Sequence, residues 1–134
     1  METKTIKQKV DFKATPHEVY EALMDSKKHS KFTGDKAEIS RKVGGKFTAY
    51  GAYIEGTNLE LVPDKKIVQL WRGSDWPDGH FSKATFVFEV GKQGTKMTFT
   101  QEGVPKDHCD SISDGWKEHY WEPMKEMFKE KKSS

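Results

Sequence analysis

The sequence holds a single cysteine, Cys109, so no internal disulfide can form. A reducing compartment is the simplest setting for such a chain. No apolar run approaches the ~20 residues that cross a bilayer, and Met1 leads into Glu2-Thr3-Lys4-Thr5-Ile6-Lys7 without the apolar stretch of a signal peptide. A soluble, cytoplasmic protein is expected, with no membrane span. Charge of one sign is lacking too. The 23 basic residues are interspersed with 21 acidic ones, for a net charge of +2. Nucleic-acid surfaces show a basic stripe, so nucleic acid is not an expected partner.

Chemistry-bearing patterns are equally sparse. His108-Cys109-Asp110 is a short polar run, but His17, His29, His80 and His119 are scattered and no second cysteine exists. Zinc sites need several ligands at recurrent offsets, so neither a metal nor another cofactor is expected. Nothing in the sequence identifies a histidine paired with Cys109, which argues against a nucleophilic cysteine. Gly44-Gly45-Lys46 and Gly91-Lys92-Gln93-Gly94 read as hairpin turns rather than strand-to-helix phosphate cradles. Carboxylate pairs such as Asp75 with Asp78, or Glu55 with Glu60, read as solvated surface in a chain that is 33% charged.

What the sequence does have is rings. Hydrophobic residues make up 34% of the chain and aromatics 12%, so a few large groups must build the interior. Ile6, Gln8, Val10 and Phe12 alternate with Lys7, Lys9, Asp11 and Lys13, which predicts a half-buried strand over residues 4–13. Thr15, Pro16 and Glu18 form a capping-box start for a helix whose apolar face is Val19, Ala22 and Leu23. Asp25-Ser26 then caps a second short helix ending near Phe32. Strands are predicted over Ala37–Lys42, Lys46–Tyr53, Ile54–Val62, Lys66–Arg72, Ser82–Val90 and Thr95–Gln101, with loops over 73–81 and 103–110. Phe86, Phe88 and Val90 share one strand face, and Met97 and Phe99 share another.

From about Ser111 to Lys131 the period turns helical. Ile112, Trp116, Tyr120, Met124 and Met127 form one apolar stripe. About 21 helical residues span ~31 Å, enough to cross several strands. Pro123 inside this helix is expected to bend it. The fold class is therefore α+β: a curved antiparallel sheet of about six or seven strands around a long C-terminal helix, with two short helices after the first strand. The 134 residues are read as one domain, 1–134.

Several segments, in order, also carry a specific resemblance. They are Gly44-Gly45-Lys46-Phe47, Gly51 through Leu59, Pro63 through Val68, Trp71-Arg72, Asp75-Trp76-Pro77, Gly79 through Ser82, and Gly115-Trp116 with Tyr120-Trp121. Together they resemble the homology domain of the activator of heat shock protein 90 ATPase, a member of the START-like, birch-pollen-allergen-like helix-grip superfamily. The resemblance covers essentially the whole chain. It implies a co-chaperone-like role in the stress response, with a chaperone or client protein as partner. Eukaryotic members carry a separate N-terminal domain with an Asn- and Trp-rich motif that these residues do not contain. Stimulation of the ATPase by this chain alone is accordingly expected to be slight.

Two binding regions are expected. The first is a cavity between the C-terminal helix and the concave sheet face, lined by Trp116, Tyr120, Phe47, Trp71, Phe86, Phe88 and Phe99, suited to a small hydrophobic ligand. The reasoning is that Tyr and Trp carry polar tips, which cost ~1–3 kcal/mol each if buried without a partner. The bland alternative is that most of these rings are core. The second region is a lid or partner surface made by Asp75, Trp76, His80 and Phe81 in the polar loop, the alternative being that Trp76 anchors the loop. The expected activity is non-catalytic binding. The other reading is a small-molecule enzyme using the same cavity, for which Arg72, Glu60 and His119 are the polar residues to inspect.

Overall fold

The computed structural model describes residues 2–133; of the side chains of Ala52 and residues 130–133 nothing is stated. Seven strands form one antiparallel sheet: β1 (Thr3–Phe12), β2 (Glu38–Ile39), β3 (Lys46–Ala49), β4 (Ile54–Val62), β5 (Lys66–Gly73), β6 (Ser82–Gly91) and β7 (Gly94–Pro105). Their order across the sheet is β1-β7-β6-β5-β4-β3-β2, so β4 to β7 form a meander and the first strand closes onto the last. Helices α1 (Pro16–Met24) and α2 (Ser26–Thr33) follow β1.

Local chemistry sets these boundaries. The Thr15 hydroxyl accepts from the Glu18 amide at 3.1 Å, and the Glu18 carboxylate accepts from the Thr15 amide at 3.0 Å. Asp25 ends α1 and caps α2, accepting from the Lys28 amide. Gly34, at φ 75°, ends α2 in the left-handed conformation that glycine adopts without strain.

Three strand boundaries differ from the sequence reading. The strand expected over Ala37–Lys42 is only Glu38–Ile39. The strand expected to run to Tyr53 stops at Ala49, because Tyr50 (φ 50°) and Gly51 (φ 74°) both take positive φ and turn the chain out of the sheet. The expected loop over 103–110 is instead the end of β7, then a 3₁₀ turn (Lys106–His108) and a helix that starts at Cys109. Val90, expected to share the buried face of Phe86 and Phe88, is 83% exposed. It sits at the hairpin end, beyond the reach of the helix.

The C-terminal helix is continuous but not regular. An α-helical segment, α3 (Cys109–Trp116), leads through a π turn (Lys117–Trp121) into α4 (Glu122–Ser133). The irregularity lies just before Pro123, which has no N–H to donate to the carbonyl of His119. That carbonyl instead accepts the Tyr50 hydroxyl at 3.1 Å. The widened turn also changes which side chains point inward. Tyr120 and Trp121, consecutive in sequence, are both buried, as is Phe128, while Met127 is only partly buried.

The core lies between this helix and the concave sheet face. Phe86 and Phe99 are cross-strand partners on β6 and β7, and the Trp116 ring sits 5.8 and 4.5 Å from them, centre to centre. Gly56 has a packing reason: a Cβ there would strike the Leu70 carbonyl oxygen and the Phe47 ring.

Candidate functional site

Beneath the helix, the polar tips of Trp116, Trp121 and Tyr120 are all bonded. The Trp116 indole N–H donates to Gln101 Oε1 at 2.8 Å; the Gln101 amide donates to Ser82 Oγ at 2.9 Å; the Ser82 hydroxyl donates to the Trp71 carbonyl at 2.8 Å. The Trp121 indole donates to Gln8 Oε1 at 2.6 Å, and Gln8 donates on to Ser113. The interior behind Trp116 is thus a packed core threaded by amides. Phe86, Phe88 and Phe99, expected to line a cavity, are core residues at 3%, 5% and 0% exposure. Phe88 lies farthest away, edge-on to Tyr20 of α1.

Tyr120 has the same kind of partner. Its hydroxyl is 2.9 Å from His29 Nε2, while His29 Nδ1 is 3.1 Å from the Leu23 carbonyl. A carbonyl can only accept, so Nδ1 carries the ring proton and Nε2 accepts from Tyr120. Burial pushes the His29 pKa down to about 4, against a smaller upward pull from the Leu23 bond, so the ring is neutral at pH 7. Burial pushes the Tyr120 hydroxyl well up, keeping it a donor.

Open space begins on the other side of the Trp116 and Tyr120 rings. A groove of about 390 Å³ lies between α3, the π turn, the Tyr50 turn and the adjoining ends of β4 and β5. Tyr50, Tyr53, Trp71, Trp116, His119 and Tyr120 supply its rings, Ile54 and Ile112 its aliphatic surface, and Ser111 and Gly115 the remaining helix wall. Of the residues expected to line a cavity, Trp71, Trp116 and Tyr120 lie here. Phe47 and Phe86 instead border a void of about 20 Å³ deeper in, which Trp71, Trp116 and Tyr120 also border. Those three rings therefore stand as the partition between groove and void. Sequence reading left Tyr50, Tyr53 and Gly115 out of the expected lining and named His119 only as a polar residue to inspect; the Tyr50-Gly51 pair was the available signal, since a glycine inside a strand pattern marks a break.

The rim tyrosines are held in place. The Tyr53 hydroxyl donates to Asp75 Oδ1 at 2.7 Å. Its pKa is pushed up to about 12, first by burial and then by the Asp75 bond and charge. Tyr50 is likewise pushed up to about 12, by burial and then by the charge of Asp35.

The loop between β5 and β6 is stitched down. Trp76 is 3% exposed, packed 5.4 Å from Trp71 and flanked by His80 and His108, so this loop tryptophan is an anchor and offers no surface to a partner. Its indole N–H has no hydrogen-bond partner, and neither does Nε of Arg72. His80 Nε2 donates to the Gly103 carbonyl at 2.7 Å. Asp75 and Phe81 remain exposed, Phe81 beneath the Arg72 guanidinium.

Of the polar residues to inspect for chemistry, only His119 borders the groove. Arg72 lies on the opposite sheet face, bonded to Glu55 and to the Trp76 carbonyl, and Glu60 pairs with Lys66. Among the described residues no group of three His, Cys, Asp or Glu side chains is placed to hold a metal ion. No helix there is long and apolar enough to cross a membrane.

This architecture and its sequence match a known family. The model of the activator of Hsp90 ATPase homolog 1-like proteins matches residues 13–129. The chain belongs to this family. It is 36% identical over 127 residues to a Dictyostelium discoideum protein named activator of 90 kDa heat shock protein ATPase homolog, covering 94% of this chain and 33% of that one. The human homolog 1 of the same name is 32% identical over 121 residues, covering 90% and 36%. The chain thus spans about a third of the length of the curated relatives it matches. Among solved structures, one described as an HSP90 activator from Plasmodium falciparum superposes with a TM-score of 0.82 at 24% identity, over 94% of this chain and 95% of that one. That likeness shows the helix-grip fold.

Proposed function

We propose that this chain is a non-catalytic binding domain that engages a chaperone polypeptide of the heat shock protein 90 class through the face carrying the aromatic groove. The observation that carries the reading is the groove itself. It is an open, ring-lined surface recess whose hydroxyls at Tyr50, Tyr53 and Tyr120 are already committed to His119, Asp75 and His29. Bound and oriented polar groups suit recognition, whereas catalysis needs ionisable groups free to exchange protons at a reacting atom. Family membership supplies the class of partner, since the similar proteins bear the name of activators of that chaperone's ATPase. The soluble, cytoplasmic location expected from sequence fits a partner of this kind.

The test is a binding isotherm beside an ATPase titration, both with heat shock protein 90 and the isolated chain. Binding with little or no stimulation is expected. The matching region covers about a third of the relatives, and one domain lacks the gain in effective concentration that bridging two sites would give. Absence of binding at high micromolar concentration would remove the reading.

A second reading, a small apolar ligand, is favoured by one observation. Trp71, Trp116 and Tyr120 border both the groove and the inner void, so rotation of these rings would join the two into a deeper pocket. An apolar fluorescent probe that binds and shifts the indole signals of Trp71 and Trp116 would support it; a probe without effect would count against it.

A further inference from the structure

The groove combines two properties that select for the same kind of occupant. Six of its ten lining residues carry rings, and ring faces carry negative electrostatic potential and attract cations. None of its lining residues is a lysine or arginine. The helical wall beside it is rich in acidic residues, although the whole chain is net positive at +2. Residues 107–118, which build the helical wall, hold Asp107, Asp110, Asp114 and Glu118 against a single lysine, Lys117. Asp110 and Asp114 are exposed and precede the lining residues Ser111 and Gly115 in the chain, on the outer face of the same helical wall, where they act on an approaching segment from a distance. On the opposite rim, the exposed Asp75 accepts the Tyr53 hydroxyl through one oxygen and holds the other 3.8 Å from His108 Nδ1. Asp35 stands close to the Tyr50 turn, its Oδ1 3.9 Å from where a Cβ on Gly51 would lie. Neighbouring Lys36 is paired with Glu38 at 3.1 Å.

We infer that the groove is the seat of an arginine side chain presented by a basic segment of the partner polypeptide. The inference rests on the partner-binding reading above and names the chemistry of the contact. An apolar side chain would use the rings and leave the acidic rim without a counter-charge. A free anion would be repelled by both. Arginine fits better than lysine because its guanidinium is planar, stacks on ring faces and is weakly hydrated, so its entry into a partly dry recess costs less. The exposed carboxylates steer the segment from a distance and act less as salt is added.

The probe is an octapeptide of alternating arginine and glycine, with a counterpart in which citrulline, uncharged and nearly isosteric, replaces each arginine. Both are titrated into the full chain and followed by amide and indole NMR shifts. The arginine peptide should move the signals of Ser111, Gly115, Trp71 and Trp116, and bind about tenfold more tightly than the citrulline peptide. Asp110→Asn combined with Asp114→Asn should weaken it several-fold, and so should Tyr53→Leu, which keeps the apolar bulk and removes the ring. Asp11→Asn, remote from the groove, should not. Equal affinity for the two peptides would overturn the inference, as would shifts mapping elsewhere or an equal loss with the remote variant. The same variants are then measured against heat shock protein 90. If the chaperone binds wild type and groove variants alike, the arginine seat falls and the partner reading stands. If the arginine peptide fills the groove and the chaperone binds neither form, the cation site stands and that partner falls.

Discussion

At one end of the helix–sheet interface, Trp121 is wedged among Phe12, Phe99 and Trp116, and its indole is bonded to Gln8. At the other end, the same helix stands beside Tyr50, Tyr53 and Ile54 with a groove between. The rings are of one kind at both ends, so aromatic content does not decide which end is sealed. Two things do. The long strands β1, at one sheet edge, and β7 beside it bring Gln8 and Gln101 to the indoles, which removes the cost of burying them. The short strand β3, next to the edge strand β2, stops at Ala49, where the chain leaves the sheet in the Tyr50 turn beside the groove. A cavity opens where backbone runs out, and a core closes where a strand supplies an acceptor.

The sharpest way to break this comparison is Trp116→Ala. The ring is 3% exposed and borders closed end and groove at once. A loss of ~3–5 kcal/mol is expected in a urea or thermal unfolding curve, with Gln101 Oε1 also left without its donor. A loss below about 1 kcal/mol would mean that the closed end is not the packed core described here.

Next in size is an effect of pH at His29. The unfolded chain takes up this proton near the ordinary value of 6.5, the folded protein only near 4. Between those values the unfolded state carries more protons, so stability falls as pH is lowered through that window and is fully retained above it. The full difference is about 3 kcal/mol. The check is the unfolding midpoint against pH for wild type and His29→Gln. The curves should converge toward pH 4, and parallel curves would refute the assignment. Tyr120→Phe, which leaves Nε2 without its donor, separates the roles of that hydroxyl: lost stability with unaltered groove binding assigns it to the core.

Gln101→Met tests the acceptor half of the contrast. It keeps the volume but strands the Trp116 N–H, for an expected cost of ~1–3 kcal/mol. Addition of Trp116→Phe should recover part of that cost, since no donor then remains to be stranded.

The smallest effect has the opposite sign. Gly115 lies within α3, and a Cβ there would meet only His119 Cδ2, at 3.9 Å. Gly115→Ala should therefore add about 1 kcal/mol of stability through helix propensity, while its methyl group narrows the groove and weakens binding of the arginine peptide. Stabilisation without any change in binding would remove Gly115 from the site.

Much of the fold was legible from local chemistry. The capping box at Thr15, the glycine hairpins and the meander from β4 to β7 stand where the sequence pattern puts them. The candidate site was legible only in part. Trp71, Trp116 and Tyr120 border the groove, but Phe86, Phe88 and Phe99 are core, and Trp76 is an anchor. The error about unsatisfied ring tips had a visible antidote: Gln8 and Gln101 lie in phase with Ile6, Phe12, Met97 and Phe99, on inner strand faces. What sequence could not say was which amide meets which indole, across separations of 15 and 113 residues. The turn at Tyr50 was hidden because tyrosine favours strands, and a positive φ is uncommon outside glycine.

The π turn before Pro123 works as a phase shifter. In an unbroken α-helix each residue rotates about 100° around the axis, and one extra residue in a turn offsets everything beyond it. Through that offset the partition rings Trp116 and Tyr120 can face the groove while Met124 and Phe128, further along, still face Phe12 and the core. Deleting one residue between Lys117 and Trp121 would put the two halves of the helix out of step, so one half would expose its apolar side chains. The length of this segment is therefore as constrained as its composition. The Tyr50 hydroxyl, seated on the His119 carbonyl, ties that phase to the turn that opens the groove.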